Sequence, residues 1–220
     1  MSVFPSPNFG ERRDGLRPSL IVIHYTALPT CAESRARLCD PAAEVSAHWL
    51  IDRDGTAEQL VDEAMRAWHA GAGEWAGAGD VNSRSIGIEL QNDGAEPFAE
   101  PQMAALERLL GAIMARWQIL PSGLIAHSDL APGRKQDPGP RFDWKRLARS
   151  GLSIWPLSRP GRPEEFRACL RAFGYPDVAD DLLLDAFRLR FRPQANGDLC
   201  DADVSLACDL AARFALTDGC

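Results

Sequence analysis

The chain has 220 residues, of which 45% are hydrophobic and 25% charged, and a formal net charge of -7. This length can bury a sizeable core, as one large domain or as a main domain with a smaller companion. The acidic balance excludes generic nucleic-acid binding, which needs a basic surface, and no apolar run approaches the roughly 18 residues of a membrane span.

Residues 1–18 are polar and interrupted by proline and glycine, and they read as an irregular arm. No signal-peptide pattern is visible in them, so a cytoplasmic location is expected, or a periplasmic one if a signal has been removed. Leu20-Ile21-Val22-Ile23 is a continuous, mostly β-branched run, as in a strand buried on both faces. It ends at His24, where an imidazole can either point into a site or hydrogen-bond within the core. Thr30 with Glu33 forms a capping box that opens a short helix through Leu38. Residues 46–52 alternate as a strand, Asp54-Gly55 makes a turn, and Ala57 to Val61 returns as its hairpin partner.

A long glycine-rich loop, 70–84, follows Trp68 and His69 and leads through Asn82 and Arg84 into a strand over 86–90. Glu89 lies in that strand between Ile88 and Leu90. A carboxylate there is either on a solvated face or functional. Pro101 to Trp117 places Met103, Leu106, Leu110, Ile113 and Met114 at helical spacing, which predicts an amphipathic core helix. A short strand, 124–126, then delivers the stretch AHSDLAPGRKQDPG (126–139), whose breakers predict an irregular site loop. A helix is predicted over 143–150. The proline-rich segment after Gly151 reads as a linker, and three helical patterns follow at 164–173, 180–191 and 201–216. The fold class is therefore α/β (α+β mixed), with a central mixed sheet flanked by helices and a small three-helix C-terminal domain. The expected boundaries are 1–18 for the arm, 19–155 for the main domain, 156–163 for the linker and 164–220 for the helices. The six cysteines show no metal-binding spacing and read as free thiols.

A chemically active zinc takes three protein ligands and leaves a fourth position open. His24, His127 and Asp137 supply two imidazoles and a carboxylate from strand ends and a loop, and imply one Zn2+ per chain. With such a centre, Glu89 would shuttle a proton to the leaving amine and Lys135 would stabilise an oxyanion. Asp129 is expected to receive the second ring N–H of a ligating histidine. Pro138 and its neighbours are expected to hold His127 and Asp137 on one metal.

At this point the motifs match a family. VIHYTA (22–27), VSAHWLIDRDG (45–55), AWHAG (67–71), NSRSIGIEL (82–90) and HSDLAPGRKQDPG (127–139) occur in family order. The chain resembles the zinc-dependent N-acetylmuramoyl-L-alanine amidases of the AmpD/AmiD type, relatives of the peptidoglycan recognition proteins. The resemblance implies zinc ligands at His24, His127 and Asp137, a catalytic glutamate at Glu89 and a transition-state lysine at Lys135. It implies cleavage of the amide joining the lactyl group of N-acetylmuramic acid, or its anhydro form, to L-alanine of the stem peptide. Peptidoglycan fragments (muropeptides and anhydro-muropeptides) would be the partners, the chain acting as a monomer. His48 and His69 match positions lining the family's cleft, Trp68 and Asn82 are expected to bind substrate with them, and Arg84 could meet a stem-peptide carboxylate. For His48 and His69 a structural role below the site stays open, as does a solvent-facing position for Arg84. The C-terminal helices resemble a small peptidoglycan-binding domain, with a stabilising cap as the other reading. A recognition protein that binds without cutting is the alternative function.

Overall fold

The computed structural model describes residues 5–216; the first four residues of the expected arm, and residues 217–220 with Cys220, lie outside the described residues. The elements in chain order are β1 (Phe9–Gly10), β2 (Leu20–Tyr25), α1 (Cys31–Leu38), β3 (Trp49–Ile51), β4 (Ala57–Gln59), β5 (Arg66–Ala67), α2 (Val81–Arg84) and β6 (Ser85–Leu90). There follow α3 (Glu100–Trp117), β7 (Leu124–Ala126), α4 (His127–Leu130), α5 (Trp144–Arg149), α6 (Phe166–Phe173), α7 (Asp180–Phe191) and α8 (Asp201–Phe214).

Five strands form a mixed sheet in the order β4-β3-β6-β2-β7. β2 runs parallel to β6 and β7, β3 is parallel to β6, and β4 closes the edge antiparallel to β3 as the expected hairpin. β3 is shorter than the predicted 46–52 strand, because Ser46 turns its backbone N–H to Trp68 O on the neighbouring segment. The Thr30–Glu33 capping box forms on α1 as its spacing required.

Side chains alternate across a strand, so β2 and β6 each serve two layers. Ile21 and Ile23 of β2, with Ile86, Ile88 and Leu90 of β6, pack on Met103, Leu106, Leu110 and Ile113 of α3. On the opposite face, Leu20 and Val22 of β2 and Ile125 of β7 join one continuous cluster with Phe166, Leu170, Phe173, Leu183, Phe187 and Phe191. The C-terminal helices thus share a core with the sheet. α7 and α8 are joined by Asp203, fully buried, which accepts hydrogen bonds from Arg188 and Arg192.

The N-terminal arm is irregular and firmly held. Arg12 donates to the backbone carbonyls of Glu63, Asn82, Ser83 and Ser85, while Asn8 donates to those of Asp40 and Val45. No described helix is long and apolar enough to cross a membrane.

Candidate metal centre and active-site cleft

Parallel strands deliver their C-terminal ends to one edge of a sheet, which is where ligand sites form in such folds. Here His24 and Glu89 are register partners at the ends of β2 and β6, so both side chains leave the same face. Their face is the one that continues Val22 and Gly87, opposite to α3. His127 follows β7, the strand on the other side of β2. Three adjacent strand ends therefore meet at one place.

His24 Nδ1, His127 Nδ1 and Asp137 Oδ2 converge there at 2.8–2.9 Å from one another. They form the one His/Cys/Asp/Glu group among the described residues arranged to hold a metal ion. The protons around them can be assigned from their neighbours. His127 Nε2 lies 2.9 Å from Ala70 O, which can only accept, so Nε2 carries the proton and Nδ1 is bare. Ser85 Oγ donates to Val81 O at 2.6 Å and so accepts from His69 Nε2 at 3.1 Å. His69 Nδ1 is then free to accept the Nε2 proton of His24 at 3.0 Å, which leaves His24 Nδ1 bare as well. Burial, then the charge of neighbouring His127, lowers the His24 pKa to about 4, and burial holds His69 well below its ordinary value, so both rings are neutral. Two bare imidazole nitrogens and a carboxylate oxygen facing one another repel unless a cation lies between them. The donor set fits a divalent metal, with outer hydrogen bonds that orient each ring.

Glu89 lines the same cleft, and its Oε2 is enclosed without a hydrogen-bond partner. Burial, followed by repulsion from Asp137, pushes its pKa up to about 8, against the pull of Lys135. A carboxyl balanced near neutrality is suited to giving and taking a proton. Lys135 also lines the cleft and pairs with no carboxylate among the described residues. The cleft has a volume of about 520 Å³ and is walled by Trp68, His69 and Arg37 as well as the metal trio.

The site loop differs from its expectation in one respect. Residues 127–130 form a single helical turn, α4, because the breakers begin only at Pro132 and Asp129 Oδ2 accepts the N–H of Ala126 at the start of the turn. Beyond it the chain is irregular, and Ser128 N to Asp137 O closes the two ligand positions on each other at 3.0 Å. Asp129 receives no histidine N–H. Its oxygens are taken by Ala126 N, Tyr175 Oη and Arg190 Nη1, and the two ligand rings donate to Ala70 O and His69 instead.

Trp68 and His69 line the cleft. His48, Asn82 and Arg84 do not line it. His48 Nδ1 accepts from Gly87 N while its Nε2 donates to Met65 O, and Asn82 Oδ1 accepts from the N–H groups of His69 and Ala70. Arg84 donates to the carbonyls of Trp75 and Ala78. Each is held behind the wall by hydrogen bonds to backbone groups of β6 and of the neighbouring loops. Gly87 is required where it stands: a Cβ there would lie 2.4 Å from the His69 ring, which crosses β6 at that point. Sequence reasoning missed Arg134, which donates to Ala70 O and Ala72 O and braces the acceptor of His127. A backbone carbonyl carries no residue-type signal, so nothing in the sequence marked that role.

Residues 14–140 match the N-acetylmuramoyl-L-alanine amidase family. The chain belongs to that family. It is 36% identical over 223 residues to the N-acetylmuramoyl-L-alanine amidase AmiD of Escherichia coli K12, covering 85% of this chain and 79% of AmiD. It is also 36% identical over 160 residues to the 1,6-anhydro-N-acetylmuramyl-L-alanine amidase AmpD of Citrobacter freundii, covering 65% of this chain and 86% of AmpD. The E. coli AmiD structure, a complex with anhydro-N-acetylmuramic acid-L-Ala-D-gamma-Glu-L-Lys, superposes with a TM-score of 0.81 at 32% identity over 94% of this chain and 98% of AmiD. That coverage extends the likeness through the C-terminal helices.

Proposed function

We propose that this chain is an N-acetylmuramoyl-L-alanine amidase that uses zinc held by His24, His127 and Asp137. It hydrolyses the amide between the lactyl group of N-acetylmuramic acid, or its 1,6-anhydro form, and L-alanine of the stem peptide. The observation that carries the reading is the convergence of three acceptor atoms, with all ring protons directed away from them, beside the partnerless carboxyl of Glu89. Held by those three residues, zinc would supply Lewis acidity that lowers the pKa of water and polarises the scissile carbonyl.

The protein residues divide the remaining work. Glu89 takes the proton of the attacking water at its enclosed carboxylate and returns it to the departing amine of L-alanine. Lys135 places an unpaired ammonium beside the developing oxyanion, where a low-dielectric wall strengthens the attraction. Trp68 supplies an apolar wall for the sugar or the stem peptide. His69 fixes the tautomer of His24, and His48, Asn82 and Arg84 support the wall from behind. The alternative of a protein that binds without cutting has no observation in its favour, since ligands, acid–base group and lysine are all present.

Incubation of zinc-replete protein with muropeptides, read by mass spectrometry, is expected to release a free stem peptide beginning at L-alanine. Binding without release would overturn the reading. Comparing soluble anhydro-muropeptides with intact peptidoglycan as substrates defines whether the cleft accepts polymer.

A further inference from the structure

The turn that carries His127 is held from the far end of the chain. Asp129, two residues along α4, is fully buried, and its Oδ2 faces Arg190 Nη1 of α7 at 2.6 Å. Arg190 is itself 1% exposed. Its Nη2 donates to Leu124 O at the start of β7, the strand that leads into His127, at 2.8 Å. Its guanidinium lies over the Trp144 ring of α5, 4.4 Å from the centroid. Tyr175, after α6, donates its hydroxyl to the other Asp129 oxygen at 2.6 Å. The Tyr175 ring packs edge-on to Trp75, 5.2 Å between centroids, in the glycine-rich loop that presents Ala70 O to His127. Glu74 N donates to Leu130 O and ties that loop to α4 directly. Further along the site loop, Gly133 packs against Leu182 of α7 so closely that a Cβ would lie 2.9 Å from its side chain.

We propose that the C-terminal helices act as a clamp on the metal centre, with Arg190 and Tyr175 as positioning residues that act on His127 through Asp129. Arg190, 61 residues away, pairs with one Asp129 oxygen and binds the strand preceding the turn, while Tyr175 holds the other oxygen. Without those bonds, the Asp129 carboxylate keeps only the N–H of Ala126, and α4 is left with its local bonds and its two ties to the glycine-rich loop, Glu74 N to Leu130 O and His127 Nε2 to Ala70 O. The clamp explains why a charged pair sits in an otherwise apolar cluster, where burial of charge is costly unless geometry demands it. The inference rests on the reading of His24, His127 and Asp137 as metal ligands.

The test uses the full chain and three substitutions: Tyr175→Phe, Arg190→Lys and Phe187→Leu. Phe187 lies on the same helix in the same apolar cluster and has no polar atom with which to bond Asp129 or the loop ligands. Zinc affinity is measured by competition with a chelating dye, and amide exchange of residues 126–131 is measured on metal-free protein, both well below the melting temperature. Tyr175→Phe and Arg190→Lys are expected to weaken zinc binding by up to about 10-fold, the low end of what a direct outer partner of a ligand contributes, since both act one residue further out through Asp129. Both should also speed exchange across 126–131, while Phe187→Leu lowers the melting temperature and leaves zinc affinity unchanged. Unchanged affinity and exchange in Tyr175→Phe would overturn the clamp, and so would a Phe187→Leu variant that loses zinc equally. If Arg190→Lys fails to fold, Tyr175→Phe alone decides. If the wild type holds no zinc, the metal reading falls, while the exchange measurement still decides the clamp.

Discussion

One face of the sheet presents Ile21, Ile23, Ile86, Ile88 and Leu90 to the apolar stripe of α3. The other face begins alike, with Leu20, Val22 and Ile125 under the C-terminal helices, and then changes character at Gly87, His24 and Glu89. The same two strands build both, since the period of two in a strand assigns odd and even positions to different surroundings. The α3 face supplies stability, and the one buried polar side chain of α3, Gln102, is tied to Ile51 O and Gln91 O. The opposite face has its chemistry where the parallel strands end, and there it needs partners drawn from loops and from α7. A large loss of function with little loss of stability is thus expected on one face, and the reverse on the other.

The largest expected effect is at the ligands. Asp137→Ala should reduce bound zinc, read by elemental analysis, from one per chain to background, and abolish release of stem peptide. Glu89→Gln should retain zinc and lower kcat by about 10²–10⁴-fold, the range for removal of a positioned acid–base group; retained activity would sink the proposed role. On the other face, Leu106→Ala removes a fully buried side chain and should cost about 3 kcal/mol in denaturant unfolding. Activity per folded molecule in that variant should stay near wild type, and a loss matching Glu89→Gln would erase the contrast between the faces.

Acidity offers a subtler contrast. Burial favours the protonated form of Glu89 in the folded chain, with a pKa of about 8 against an ordinary 4.5. That contribution to stability is fully present below the ordinary value and is lost as pH rises through about 8. Metal-free wild type should therefore lose on the order of 2–4 kcal/mol relative to metal-free Glu89→Gln between about pH 5 and about pH 8. Parallel pH profiles for the two would show that Glu89 is not confined as described. The smallest effect belongs away from both faces: Thr30→Ala, which removes the cap of α1, should cost about 1 kcal/mol and leave zinc binding untouched.

Much of this arrangement could be read along the chain. The β-branched run before His24, the alternation around Glu89, the Thr30–Glu33 box and the stripe of α3 are local patterns, and short-range backbone geometry enforces them. The five motifs brought the ligand trio, Glu89 and Lys135 into view before any coordinates. Other assignments needed the folded chain. Asp129 was expected beside a histidine and instead meets Arg190 and Tyr175, while the histidine protons go to Ala70 O and to His69. His48, Asn82 and Arg84 bond backbone groups of β6 and of the glycine-rich loop, partners that only the folded chain brings to them.

The sequence by itself determined which residues could hold a metal and move a proton, because those abilities reside in side-chain chemistry and in strand and helix periodicity. Tertiary structure alone decided which ring nitrogens of His24 and His127 converge with Asp137 and what holds His127 in place. Both depend on hydrogen bonds between segments far apart in the chain, 61 residues in the case of Asp129 and Arg190, for which no local pattern exists.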